Sequence, residues 1–257
     1  MRDAVPPPMT DKASIRSLAV DADIFGSPIT IHPVLISDEA DGATLVDAGY
    51  PGLFPRLRQA IERAGVPLHQ LRRVILTHQD WDHTGTLPDL LAAGPGILVC
   101  AHRLEKPYIE GTLPDYKLTP EKIAARIAAL PPEMRPGAAA TFAALPHAPV
   151  GRTLEDGELL PWHGGLEIIH VPGHTPGNIC LYLKSHRLLI AGDQLRVVDG
   201  ALAGPAPEHT PDMPAALASL QKLAAYDIDT VLCYHGGPYG PDANSRIAAL
   251  SAAVGCR

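Results

Sequence analysis

The sequence is short of several things, and each shortage excludes something. No apolar run among its 257 residues approaches the eighteen or so needed to span a membrane. Positive charge is not in excess: 21 Lys and Arg stand against 28 Asp and Glu, a net charge of −7. The electrostatic footprint of a nucleic-acid binder is therefore missing. Cysteine is scarce. Cys100, Cys180, Cys233 and Cys256 form no Cys-x-x-Cys pair, and three of them lie in apolar, strand-like runs. They read as reduced core thiols rather than disulfides or ligands. The opening MRDAVPPPMTDK holds no apolar stretch of the kind a secretory signal uses. Residues 1–13 read as a flexible lead-in, and the chain as a cytoplasmic one.

What is present is a globular composition, 46% hydrophobic and 19% charged. Short β-branched runs at Ile15–Val20, Ile29–Ile36 and Thr44–Val46 read as strands. A helix pattern follows over Phe54–Ala64, closed by Gly65 and Pro67. Val74–Leu76 reads as a buried strand, Leu87–Ala93 as a helix and Ile97–Ala101 as a strand. Residues 104–150 differ: they are dense in proline, with one helix expected over Pro120–Leu130. This segment reads either as a cover over a site or as a plain surface excursion. Strands resume at Leu166–Val171, Ile179–Leu183, Leu188–Ala191 and Leu195–Val198. A helix over Pro214–Ala225, a strand at Val231–Cys233 and a helix over Asn244–Val254 complete the chain. Strands followed by helices in both halves imply one layered α/β domain over 1–257.

The twelve histidines carry more information. His78-x-Asp80-x-Asp82-His83 puts four metal-type donors within six residues, directly after an apolar strand. Carboxylates crowded together repel, and a bound cation removes that difficulty. A polar surface turn is the bland alternative. Three further strand ends carry one donor each: His174 in Gly-His-Thr-Pro-Gly, Asp193 in Ala-Gly-Asp and His235 in His-Gly-Gly. Alone, each of these reads equally as a structural loop residue. Together they make four strand-to-loop junctions that end in metal-type ligands.

This combination resembles the metallo-β-lactamase superfamily, over nearly the whole chain after about residue 14. The family's signature is His-x-His-x-Asp-His, then a distant His, an Asp and a final His. The resemblance implies a four-layer αββα sandwich with two divalent ions at the rim between the sheets. It implies a first ion on His78, Asp80 and His174, a second on Asp82, His83 and His235, and Asp193 bridging them. It also implies hydrolysis by a metal-bound hydroxide, with Asp82 and Asp193 as catalytic carboxylates. Zn²⁺ is the first expectation. Asp80 stands where the family usually has its second histidine, and this harder ligand admits Mn²⁺ or Fe²⁺. The related flavodiiron proteins carry a Glu there, together with a flavodoxin domain not seen in this sequence.

Fold does not fix substrate in such a family. The layout is most similar to the lactonase and glyoxalase II-type group, which implies a carboxylic ester, lactone or thioester. Phosphodiester hydrolysis and, further off, a di-iron redox or non-catalytic metal protein stay open. Acyl-homoserine lactonases typically place a Tyr three residues after the bridging Asp, where this chain has Arg196. Arg196 reads as a carboxylate or phosphate binder, or as the partner of an acid such as Asp199. Trp81, Tyr108, Tyr116 and Tyr234 read as pocket-lining or as packing residues. A small-molecule substrate is the partner expected, with no nucleic acid or membrane, and a homodimer is left open.

Overall fold

Val74, Ile75 and Leu76 are all fully buried, and a strand buried on both faces needs a layer on each side. The computed structural model, which describes residues 13–252, supplies those layers. The lead-in at 1–12 and Cys256 lie outside the described residues. Ile75 points into a core shared by two facing sheets. Val74 and Leu76 point the other way, against helices, as the period of two in a strand requires.

Both large sheets have six strands in chain order. The first comprises β1 (Ser14–Ser17), β2 (Val34–Asp38), β3 (Gly42–Val46), β4 (Leu71–Leu76), β5 (Leu98–His102) and β6 (Arg152–Leu154). Strands β1 to β3 pair antiparallel and β3 to β6 parallel. The second comprises β7 (Leu159–Leu160), β8 (Leu166–His170), β9 (Ile179–Leu183), β10 (Leu188–Ile190), β11 (Thr230–Cys233) and β12 (Gly237–Tyr239). Its one parallel pair is β10 with β11. Two small ribbons, Val20–Ile24 with Ser27–Ile31 and Arg196–Val198 with Ala201–Ala203, stand apart.

Helices close the outer faces. α1 (Phe54–Arg63) buries Leu57 and Ile61; α2 (Trp81–Thr84) is a single turn; α3 (Leu87–Ala93) buries Leu87 and Leu90. The segment after β5 holds α4 (Lys106–Ile109), α5 (Pro120–Ala129) and α6 (Arg135–Ala143). On the second sheet, α7 (Met213–Leu223) and α8 (Ala243–Ala252) bring Leu220, Leu223 and Ile247 against Ile169, Leu189 and Val231. The result is the four-layer αββα sandwich. Each fully buried Leu or Ile in these layers contributes about 1.5–3 kcal/mol. No helix among the described residues is long and apolar enough to cross a membrane.

Three local readings are corrected. Ile29–Ile36 is not one strand: the ribbon strand ends at Ile31 and β2 starts at Val34. Pro33 between them has no N–H to give a ladder. Ile15–Val20 likewise divides between β1 and the ribbon strand beginning at Val20. The segment 104–150 has three helices where the residue pattern suggests one. α6 is Ala-rich and buries only Ala138 and Phe142, so it carries little apolar periodicity to read. Cys100, Cys180 and Cys233 are buried free thiols.

Topology decides where chemistry can sit. The parallel strands β3 and β4 end at the same edge of the first sheet. Strands β8, β10 and β11 run one way and end together in the second. Five strand ends therefore open onto a common rim.

Candidate metal centre

Four of these strand ends, those of β4, β8, β10 and β11, deliver donors. After β4 the chain passes through Thr77 and His78 to Asp80, at the start of α2, and the helical turn carries Asp82 and His83. β8 leads to His174, β10 to Asp193 and β11 to His235. The glycine before His174 is required by space. Gly173 has φ +132°, and a Cβ there would lie 2.3 Å from the backbone N of Ala216.

All seven side chains meet. His78 Nε2 lies 3.4 Å and His174 Nε2 3.1 Å from Asp80 Oδ2. His83 Nε2 lies 3.6 Å and His235 Nε2 3.3 Å from Asp82 Oδ2. Asp193 stands between these trios. Its Oδ2 is 3.3 Å from His174 Nε2, and its Oδ1 is 3.3 Å from His83 Nε2 and 3.5 Å from His235 Nε2. His78 Nε2, His83 Nε2 and Asp193 Oδ1 are buried without a hydrogen-bond partner among the described residues. Such groups are costly to bury unless something ligates them. Four imidazoles and three carboxylates turned onto two adjacent points fit a pair of divalent ions.

The far sides of the rings are held as well. Thr77 donates its backbone N–H to Asp47 Oδ1 at 2.8 Å and its hydroxyl to the same carboxylate. His83 Nδ1 is 3.0 Å from Asp47 Oδ2. His78 Nδ1 is 3.0 Å from Thr77 Oγ1, and His174 Nδ1 is 3.4 Å from Thr210 Oγ1. With the Thr77 proton committed to Asp47, His78 Nδ1 donates, which leaves the Nε2 lone pair facing inward. Burial pushes the His78 ring down to about 4, and His83 beside it acts in the same direction. Around His83 and His235 burial also lowers, but the carboxylates outweigh it. His83 rises well above the usual histidine range and His235 to about 10. A divalent ion at those two nitrogens therefore displaces protons as it binds.

Asp47 is a residue that the sequence reading misses. It is buried, with φ +65°, a conformation Asp tolerates better than most residues. Asp47→Asn turns one of its two acceptors into a donor facing groups that already donate. We expect divalent-ion affinity to fall by about 10- to 100-fold, read by competition with a chromogenic chelator. Unchanged affinity would remove Asp47 from the support of His83.

Above the seven side chains opens a cavity of about 490 Å³. One wall comes from the segment 104–150, through Asp115, Lys117, Leu118, Lys122 and Arg126. Of the aromatic and cationic candidates, Trp81 and Arg196 line this cavity. Trp81 is also packed against Tyr50 and Phe142, with ring centroids 4.9 and 5.2 Å away. The acid facing Arg196 is Glu208, at 3.8 Å, rather than Asp199. Tyr108 and Tyr234 are not among the lining residues. Tyr108 borders a smaller cavity of about 250 Å³ beneath the segment 104–150. Tyr234 is buried, with its ring 3.8 Å from that of His83, and donates its hydroxyl to the Asp82 carbonyl at 2.5 Å. It braces the Asp82–His83 turn from behind and does not face the cavity.

Lys117 is the other residue that the sequence reading misses. Its ammonium contacts Asp80 Oδ2 and lies 2.8 Å from His174 Nε2. Burial raises the Asp80 carboxyl, yet Lys117 and then His78 hold it well below the usual carboxylate range.

A family model described as the metallo-beta-lactamase superfamily matches residues 28–235. The chain is 30% identical over 228 residues to a probable metallo-hydrolase, YflN, of Bacillus subtilis (strain 168), covering 81% of this chain and 80% of the relative. It is 43% identical over 93 residues to a hydroxyacylglutathione hydrolase of Aeromonas hydrophila subsp. hydrophila. That match covers 33% of this chain and 32% of the enzyme, about a third of its length. A crystal structure of a metallo-beta-lactamase family protein from Thermus thermophilus has the same fold. Its TM-score is 0.68 at 22% identity, covering 94% of this chain and 79% of that one. With its sandwich, its rim of strand-end donors and a family match across most of its length, the chain belongs to the metallo-beta-lactamase superfamily.

Proposed function

We propose that the chain is a binuclear metal-dependent hydrolase of a small carboxylic thioester, ester or lactone that carries negative charge away from the scissile bond. The observation that carries this is the pairing of two donor trios, with Asp193 between them, at the floor of a cavity lined by Lys122, Arg126 and Arg196. Away from the seven donors the cavity wall carries Lys117, Lys122, Arg126 and Arg196 against Asp115 and Glu208, a local excess of positive charge in a chain of net charge −7 that suits an anionic ligand. The hydroxyacylglutathione hydrolase relative supports the acyl side of this reading.

His78, Asp80 and His174 would hold one ion, Asp82, His83 and His235 the other, and Asp193 both. Bound there, divalent ions polarise a carbonyl and lower the pKa of water. The chain's own residues do the rest. Asp82 accepts the proton given up by the attacking water. Asp47 and Tyr234 keep the His83 ring and the Asp82 turn from moving. Arg196 and the Lys122–Arg126 pair, one helical turn apart on α5, bind the anionic end of the substrate. Zn²⁺ suits the four imidazoles, and Mn²⁺ or Fe²⁺ suits the carboxylate at Asp80.

Protein purified without chelator should carry about two ions per chain by elemental analysis. It should hydrolyse acyl thioesters or lactones, lose that activity on chelation and regain it with added Zn²⁺ or Mn²⁺. Carboxylated substrates should be favoured over uncharged ones, chiefly through KM. Turnover of a phosphodiester with no acyl hydrolysis would overturn the proposal. So would acyl hydrolysis that survives complete chelation.

A further inference from the structure

Lys117 sits among the candidate ligands rather than beside them. Its Nζ contacts Asp80 Oδ2, lies 2.8 Å from His174 Nε2 and 3.3 Å from the His209 carbonyl oxygen. An ammonium has three N–H donors, and here it meets the Asp80 carboxylate, the His209 carbonyl and, in the tautomer of His174 protonated at Nδ1, the Nε2 lone pair of that ring. Two of them are donor atoms of the first trio, His78, Asp80 and His174. The side chain is only 12% exposed.

The turn that presents Lys117 is itself built. Asp115 Oδ1 accepts the backbone N–H of Lys117 and that of Leu118, each at 2.7 Å. The Tyr116 N–H reaches Gln79 Oε1 at 3.4 Å, one residue before Asp80. The inserted segment is thereby pinned beside the first trio, with its lysine aimed inward. Asp80 gains an explanation at the same time. A carboxylate accepts from an ammonium, whereas a ring nitrogen already turned to a metal offers one lone pair at most.

We infer that Lys117 is a built-in competitor for the first metal position. This rests on the reading of the seven residues as a metal centre. The Nε2 lone pair of His174 serves either the ammonium or an ion, so the two exclude each other. The ions load in order. Asp82, His83 and His235 take the first equivalent, and the second equivalent must expel Lys117 from Asp80 and His174. Expulsion also breaks the bond to His209 on the far wall of the cavity. Loading of the first position thus loosens the cover segment around Asp115–Leu118.

The test is Zn²⁺ titration of chelator-stripped protein at one pH, by calorimetry, on wild type and Lys117→Met. Wild type should bind two ions with clearly separated affinities. In Lys117→Met the weaker site should tighten on the order of 10- to 100-fold, the scale of changes around metal ligands, and the separation should close. Hydrogen–deuterium exchange on the wild type gives a second reading that needs no variant. Exchange over residues 113–120 should rise with the second equivalent and not with the first. Two equal sites in the wild type, a weaker site unmoved by Lys117→Met, or flat exchange over 113–120 would each overturn the role of Lys117 while leaving the metal centre standing. If neither protein binds Zn²⁺, the centre itself falls, and this inference with it.

Discussion

Asp193→Asn should lower kcat/KM on the order of 10⁴-fold, the scale seen when one member of a catalytic unit is removed, and the folded chain should survive. The reason lies in how its carboxylate is shared. Oδ2 faces His174 of one trio, and Oδ1 faces His83 and His235 of the other, all between 3.3 and 3.5 Å. Asn has nearly the same shape but only one oxygen, and its NH₂ group donates rather than accepts. Whichever trio meets the NH₂ group loses its shared donor and faces hydrogens instead. Charge works in the same direction. Two divalent ions would bring +4 against −3 from Asp80, Asp82 and Asp193, which would leave +1; the variant would leave +2. Metal content should fall from about two ions per chain toward one. Circular dichroism and the Tm of the stripped protein should stay close to those of stripped wild type, because the packing around the strand end is unchanged. Retention of two ions with activity within tenfold of wild type would end the assignment of Asp193 as the bridge.

The seven donors are legible in the sequence because each follows a strand that is itself legible. Leu189-Ile190-Ala191 before Gly192-Asp193 is one such case, and Val231-Leu232-Cys233 before Tyr234-His235 another. The same rule applies to Asp47, since Thr44-Leu45-Val46 runs straight into it. It escapes notice because the signature that picks out His174, Asp193 and His235 has no place for it. Lys117 has no comparable signal. It lies in a proline-dense stretch without periodicity, and its partners are 37 and 57 residues away in the chain. Only the turn made by Asp115 aims it. Tyr234 misleads for the opposite reason. It is adjacent to a candidate ligand in sequence, but alternation puts it on the same face as Leu232, toward the first sheet, where its ring packs against His83 behind the Asp82–His83 turn. The outline of the sandwich follows from apolar runs. Its breaks at His32-Pro33, and the Ala-rich α6, follow from backbone chemistry and packing that such runs do not encode.

Gly236→Ala should lower Tm by roughly 6–12 °C and weaken the ion held by His235 more than the other. Gly236 follows His235 directly and has φ +91°. A Cβ there would lie 2.1 Å from the Val197 carbonyl oxygen and 2.8 Å from Val197 Cβ. Two costs combine. The left-handed backbone costs an L-residue about 1–2 kcal/mol, and the overlap costs about 1–3 kcal/mol more. Roughly 3 kcal/mol at about 2–4 °C per kcal/mol gives the Tm shift stated for a domain of this size. The overlap is with backbone, so no side-chain rotation relieves it. The ribbon Arg196–Val198 must move, and it is tied to the ligand, since Val197 donates its N–H to the His235 carbonyl at 3.0 Å. Displacing it shifts His235 on one side and Arg196 of the cavity wall on the other. Gly52→Ala separates the two costs. Gly52 has φ +81°, but a Cβ there meets nothing within 4 Å, so it carries the backbone cost alone. Its Tm should fall by only about 2–8 °C, with ion binding unchanged. Equal losses in both variants, with metal affinity intact in each, would mean that left-handed strain alone governs this loop and that the ribbon does not hold His235 in place.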